Sequence, residues 1–291
     1  LLVIKTVIKT HFSNKGETKM NIYSRIIDNI RHSNSSLSSF KNCKYGYKLN
    51  YLDKVKPTDS NFFGQYGSFT HKCFEKYFSG ELDTYDLVEY FTENYRSRIT
   101  YDPPAYHPDM AMKYFQEGRD FFKNFSFDKY KYDILINEGD LKLKINNNMV
   151  TGRPDLVLRE KESSDVILFD YKTSKPFRMR NGKETVDKKR LGSYFRQMFI
   201  YTYIFKKTQD IKIDKISLWF TRPHRIETIE WKQEKQDKAI NWVLDTIEEI
   251  KQETEFPYNN SNRFFCDNLC GVRRHCKYRQ LNEPNPIKHL L

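Results

Sequence analysis

The sequence predicts an α/β protein with a helical front part, a central mixed β-sheet flanked by helices, and a cysteine-rich C-terminal tail. Three observations predict it. Up to about residue 125 the apolar residues recur at helical spacing. From about residue 130, short apolar or alternating runs separated by polar turns read as strands. After Pro257, three of the chain's five cysteines crowd into a segment with little other pattern.

Taken in order, Ser33-Asn34-Ser35-Ser36 reads as a helix start, with Leu37 and Phe40 as its first apolar positions. A helix is predicted around 61–79, where Phe62, Phe63, Tyr66, Phe69, Cys73 and Tyr77 fall on roughly one stripe. Residues 83–98 and 108–125 read the same way, divided by the break at Asp102-Pro103-Pro104. Strands are predicted at Tyr132 to Asn137, Lys142 to Ile145, Asp155 to Leu158 and Val166 to Tyr171. A helix from Lys188 to Lys207 follows, then strands near 213–221 and 226–231, then a long helix from Lys235 to Glu253. No internal repeat or low-complexity linker divides the chain. Residues 20–278 read as a single domain, with a helical part at about 58–128 and an α/β core at about 129–255. Residues 1–19 read as a short basic extension ahead of Met20, and 279–291 as a tail.

A chain with 22 Phe and 20 Tyr has the apolar material for a packed core, which excludes global disorder. No apolar run approaches the roughly 20 residues that span a bilayer, so no membrane partner is expected. Leu1-Leu2-Val3-Ile4 is too short for a secretory signal. The chain therefore reads as cytoplasmic, where thiols stay reduced and cysteines serve as ligands or core residues rather than disulfides. The net charge of +12 favours polyanions, because each phosphate contact releases condensed counterions. A Lys/Asn/Ile-rich composition inherited from an AT-rich genome gives the same charge, so charge alone decides nothing.

Asp170-Tyr171-Lys172 carries the chemistry. The bare Asp-x-Lys spacing recurs at Asp140–Lys142, Asp187–Lys189 and Asp210–Lys212, so the setting must select the copy. Only this one ends an apolar run, Val166-Ile167-Leu168-Phe169, suited to a buried central strand. Strand alternation puts Asp170 and Lys172 on one face. Two charges at the end of a buried strand need partners or a metal. Upstream, Gly152-Arg153-Pro154-Asp155 supplies a second carboxylate beside a predicted tight turn. Carboxylates converging at strand ends suit Mg²⁺ or Mn²⁺, which activates water and neutralises a phosphoryl group. Lys172 would add positive charge where negative charge develops.

These residues resemble the PD-(D/E)xK nuclease superfamily, with Pro154-Asp155 and Asp170-x-Lys172 as its signature. Further matches resemble its RecB-like branch, which includes AddB nuclease domains and CRISPR-adaptation exonucleases. Gly67-Ser68-Phe69-Thr70-His71 resembles that branch's Gly-x-x-x-His, and Gln197-Met198-Phe199-Ile200-Tyr201 its Gln-x-x-x-Tyr helix. At i and i+4, Gln197 and Tyr201 share a helix face. Taken singly, His71 reads as an ordinary half-buried histidine and the Gln/Tyr pair as an amphipathic one. Their order together carries the resemblance, which spans about residues 36–278. It implies a restriction-endonuclease-like fold and a metal held by His71, Asp155, Asp170 and the Tyr171 carbonyl. Lys172, Gln197 and Tyr201 would join Asp155 and Asp170 in the catalytic set, and Glu138 matches an acidic position of some relatives.

Cys266-x3-Cys270-x5-Cys276 in a reduced compartment suggests metal binding. A fourth ligand is missing locally, and Cys43 is the best candidate. The segments 36–52 and 257–278 resemble those of RecB-like iron–sulfur nucleases, which implies a [4Fe–4S] cluster on Cys43, Cys266, Cys270 and Cys276. Two departures stand against it: three residues rather than two separate Cys266 from Cys270, and Lys44 stands where relatives often have proline. Zn²⁺ is the alternative, with His275 able to replace one thiol. A metal here would clamp a long loop and make binding energy folding energy for the tail. Cys73, two residues after His71, faces away from the site and reads as a core residue.

The expected activity is metal-dependent hydrolysis of DNA phosphodiester bonds by an exonuclease acting on single strands or ends. The alternatives are a non-catalytic DNA-binding module, or a nuclease subunit working with helicase, recombination or CRISPR-adaptation proteins. No Gly-x-x-x-x-Gly-Lys-Ser/Thr phosphate loop is present, so any motor is another chain. The short format and AT-rich composition fit a phage or mobile-element protein in a bacterial, archaeal or phage-infected cell.

Overall fold

Three helices of the front part begin where short polar side chains cap them. A computed structural model describes residues 21–57, 60–259 and 261–279; the extension at 1–19 and the tail beyond Arg279 lie outside the described residues. The chain opens with α1 (Ser24–Asn29), β1 (Arg31–Ser33), α2 (Asn34–Asn42) and α3 (Lys44–Tyr47), then α4 (Phe62–Ser79), α5 (Thr84–Arg98) and α6 (Met110–Lys123). Ser33 caps α2 in a reciprocal box with Ser36, and Asp83 caps α5 in the same way with Asp86. α4 starts on Asn61, whose side chain accepts from the Gly64 N–H, and stops at Gly80, which takes the left-handed conformation at φ +83°. Phe74 of α4, Phe91 of α5 and Phe122 of α6 meet as fully buried rings, so aromatic packing binds these three helices into one lobe.

The remaining elements are β2 (Tyr132–Asn137), β3 (Leu141–Ile145), β4 (Asn148–Gly152), β5 (Leu156–Glu160), β6 (Val166–Lys172), β7 (Phe177–Arg180) and β8 (Lys183–Val186). They are followed by α7 (Lys188–Thr208), β9 (Lys215–Phe220), β10 (Arg225–Glu230), α8 (Gln233–Gln252) and α9 (Arg263–Asn268). Five strands form the central mixed sheet in the order β10-β9-β6-β5-β2. β6 and β9 run parallel, joined by the α7 crossover, and the other pairs are antiparallel. Strand alternation divides the core. Val157, Leu168, Ile216, Leu218 and Phe220 face α2, α7 and α8, whereas Leu156, Ile167, Phe169, Tyr171 and Trp219 face the aromatic lobe. The end of β6 therefore sits between two cores, on the strand most deeply enclosed.

A second, three-stranded sheet (β1-β4-β3) was not predicted, and neither was the separate β7–β8 ribbon. β1 has no apolar pattern of its own and exists through parallel pairing of Arg31–Ser33 with Met149–Thr151. The stretch 152–155 also differs from the tight turn predicted for it. It is the step from β4 in one sheet to β5 in the other, held by the Glu138 N–H on the Asp155 carbonyl (2.8 Å). The tail docks on the front of the chain. The Tyr45 N–H donates to the Pro257 carbonyl (3.1 Å), Asn259 to the Asn42 carbonyl (2.9 Å), and Phe264 meets Phe63. No helix among the described residues is long and apolar enough to cross a membrane.

Candidate active site

Four elements deliver the predicted residues to one place. α4 presents His71, β6 ends on Asp170 and Lys172, Asp155 immediately precedes β5, and Glu138 follows β2. The His71 Nδ1 lies 3.4 Å from Asp155 Oδ1 and 3.7 Å from Glu138 Oε1. One ligand atom from each of His71, Glu138 and Asp155 lies within 4.8 Å of the others, an arrangement open to a metal ion. Glu138 arrives through a left-handed backbone (φ +57°), after which the N–H groups of residues 138 and 139 bond the carbonyls of Asp155 and Pro154. Arg153 caps the cluster with an ion pair to Glu138 at 3.0 Å.

Asp170 and Lys172 share the α7 side of β6 and form an ion pair; Asp170 is 1% exposed. Tyr171, between them, points to the opposite core, where its ring stacks on Phe74 at 4.0 Å. Its backbone N–H donates to Asp155 Oδ2 at 2.7 Å, so the two motifs are joined directly. Burial pushes Asp155 up, but His71, Lys172 and this N–H outweigh it and hold the carboxylate below its usual range. Burial also dominates at Asp170 and pushes it up to about 6 despite Lys172. Burial would lower His71, yet Asp155, Glu138 and Asp170 raise it to about 10. Lys172 behaves alike: burial opposes its charge, and Asp170 and Asp155 more than restore it. The pocket thus draws positive charge strongly, which is the electrostatic condition for a divalent cation.

α7 supports Lys172 from above. Lys172 Nζ reaches Gln197 Oε1 at 3.4 Å, and Gln197 Nε2 donates to the Tyr201 hydroxyl at 2.7 Å. The Tyr201 ring lies directly on Gly152, where a Cβ would collide with it. Glycine at 152 therefore reflects close packing, since its backbone is not left-handed. Two residues escaped the sequence reading. Tyr194 places its ring 4.9 Å from Lys172 Nζ and its hydroxyl 2.8 Å from Ser174 Oγ; its only signal is its position three residues before Gln197. Glu117 of α6 pairs with Lys175 and, at 2.6 Å, with Arg222, tying the helical lobe to the loops after β6 and β9. A cavity of about 330 Å³ opens beside Tyr201, lined in part by Arg31, Lys142 and Arg153.

The cysteines form a separate group. Cys43 caps α3, its Sγ accepting from the Gly46 N–H at 3.4 Å, while Cys266, Cys270 and Cys276 come from the docked tail. Burial raises the thiols of Cys266 and Cys270, and both also feel Cys43 and Cys276. The tail meets the Cys43 segment at Tyr45, whose N–H bonds the Pro257 carbonyl and whose ring packs on Tyr278 at 4.9 Å. Cys73 is fully buried in the aromatic lobe.

No curated protein matches the sequence. A solved structure from Eubacterium rectale, named as a proposed exonuclease, aligns over 97% of this chain and 96% of its own, with TM-score 0.51 and 12% identity. At that identity the likeness is one of fold. A second solved protein, SSO0001, aligns over 74% of this chain and 97% of its own, at 16% identity and TM-score 0.31. The family model for the PD-(D/E)XK nuclease superfamily matches residues 31–280, a span that contains every residue of the site above, and the chain belongs to that superfamily.

Proposed function

We propose that this chain is a metal-dependent DNA exonuclease of the RecB-like branch, acting on single strands or ends. The observation that carries the reading is the meeting of His71, Glu138 and Asp155 beside the Asp170–Lys172 pair at the mouth of the central sheet. His71, Glu138 and Asp155 would hold Mg²⁺ or Mn²⁺, with Asp170 and the Tyr171 carbonyl completing the set. When bound, the ion supplies charge neutralisation to the phosphoryl group and activation of water. Lys172 stays protonated between Asp170 and Asp155. It therefore serves as a fixed positive charge for the developing phosphorane rather than as a base. Gln197 holds its ammonium in place and Tyr201 holds Gln197. The net charge of +12 favours a polyanionic substrate, and the exonuclease proposed for the E. rectale protein points the same way.

The tail reads as an iron–sulfur site on Cys43, Cys266, Cys270 and Cys276. What supports this reading is the docking of the tail beside Cys43, where the Tyr45 N–H bonds the Pro257 carbonyl and the Tyr45 ring packs on Tyr278, together with the spacing of the three tail cysteines. An anaerobic preparation should be brown and contain iron rather than zinc, and replacing Cys270 by serine should remove both colour and iron.

End-labelled single- and double-stranded DNA with Mg²⁺ or Mn²⁺ tests the activity. The wild type should release nucleotides from ends, while Asp155→Ala, Asp170→Ala and Lys172→Ala should abolish cleavage and retain binding. Undiminished cleavage by any of the three overturns the assignment, and binding without cleavage by the wild type favours a non-catalytic module.

A further inference from the structure

We infer that the β7–β8 ribbon is a track for the phosphate backbone of the nucleic-acid strand engaged at Lys172, an inference resting on the nuclease reading above. The ribbon leaves the catalytic strand after only Thr173-Ser174-Lys175-Pro176 and returns directly into α7, which carries Gln197. Its register pairs Phe177 with Val186, Arg178 with Thr185, Met179 with Glu184 and Arg180 with Lys183. Residues paired across an antiparallel ribbon share a face. One face is therefore Phe177, Met179, Glu184 and Val186, and the other is Arg178, Arg180, Lys183 and Thr185. The division is chemical as well as geometric: three cations and no acid lie on the second face.

The first face is the anchored one. Phe177 packs edge-on against Phe220 at 5.3 Å, the guanidinium of Arg225 lies 4.0 Å above the same ring, and Arg225 also pairs with Glu184 at 2.9 Å. Phe220 is the register partner of Lys172, so the anchor stands beside the catalytic strand end. The Asp187 N–H closes the base on the Pro176 carbonyl at 2.8 Å. Asn181 and Gly182 at the tip both have positive φ (50° and 73°), the tight primed turn that keeps a short ribbon in register. An isolated two-stranded ribbon is marginal in water, and here it is anchored from one side only, at Phe177 and Glu184. The opposite face is exposed, and among the described residues Arg178, Arg180 and Lys183 make no ion pair. Arg178 and Arg180 stand about 6.6 Å apart along one edge. A row of unpaired cations leading from the reacting centre matches an extended polyanion and no apolar or basic partner.

The test is the salt dependence of binding. A labelled single-stranded oligonucleotide is titrated in Ca²⁺ at 50–200 mM salt with the full chain and with Arg178→Ser/Arg180→Ser/Lys183→Ser. Each lost phosphate contact reduces the slope of log K against log salt by about 0.7. The triple variant should therefore lose about 2 in slope, so that wild-type affinity falls on the order of 20-fold more across this range than the variant's. Hydrolysis of bis(4-nitrophenyl) phosphate with Mn²⁺, too small to reach the ribbon, should be unchanged. A slope equal to wild type overturns the inference. So does an equal loss from Lys232→Ser/Lys235→Ser/Lys238→Ser, which removes the same charge from exposed positions at the start of α8. If the wild type cuts no substrate yet the slopes differ as stated, the nuclease reading fails and the track stands.

Discussion

Replacing Gly152 by alanine sets a methyl group against the ring of Tyr201, which is 5% exposed and held at its hydroxyl by Gln197. The ring cannot swing aside without surrendering that hydrogen bond. Overpacking a closed core costs about 1–3 kcal/mol, and a lost hydrogen bond adds about 1 kcal/mol. The alanine returns about 0.4–1 kcal/mol by restricting the unfolded chain, since no left-handed backbone is required at 152. The net is a destabilisation of roughly 2 kcal/mol. In a Tyr201→Ala background the obstacle is gone, and the same substitution should be neutral or stabilising by a few tenths of a kcal/mol. Urea unfolding of the four proteins therefore yields a coupling of about 2–3 kcal/mol. Cleavage should fall with Gly152→Ala as well, because Gln197 shifts and releases Lys172. Equal costs in the two backgrounds would refute the reasoning, since the penalty would then have nothing to do with the ring.

Three further outcomes are expected. His32 on β1 is fully buried, and burial pushes its imidazole from the ordinary 6.5 down to about 4. The unfolded chain takes up the proton first as pH falls, so stability is complete above about 6.5 and declines toward 4. The loss is about 2 kcal/mol at pH 5 relative to pH 8; in urea melts His32→Met should lack this increment, and an identical pH profile for the two proteins would disprove it. Mn²⁺ at 100 times its dissociation constant should stabilise the wild type by about 2.7 kcal/mol. Asp155→Ala should show no such thermal shift, and a shift equal to wild type would move the ion elsewhere. Phe256, buried edge-on against Tyr23 and Phe40, should cost about 3–5 kcal/mol when replaced by alanine, and a loss below 1 kcal/mol in urea would show that the tail docks without it.

The elements legible in the sequence are those that bury a continuous stripe or both faces. The helix predicted at 61–79 is observed at Phe62–Ser79, because its apolar residues all meet one lobe. The strand predicted from Val166 is read from its unbroken apolar run, which reflects enclosure on both sides. β1 and β4 have no such signature, since their pairing is decided by partners more than a hundred residues apart. The β7–β8 ribbon is exposed along its length and so leaves no period to read. Within the site, the position of Asp170 and Lys172 on one face follows from strand alternation alone. The closeness of Glu138 to Asp155 does not, because a single left-handed residue turns the chain there. Tyr194 and Glu117 are hidden for the same reason: their relevance lies in what the loops bring against them.

The docking of the tail on residues 42–45 also bears on how the molecule is made. Asn259 bonds a carbonyl 217 residues earlier in the chain. At about 5–20 residues per second, the front segment waits roughly 10–45 s on the ribosome for its partner. During that interval Phe40 and Tyr47 lack the Phe256 ring that closes over Phe40. A chain that stops short of Phe256 therefore has its nuclease residues present and its first helices unsealed.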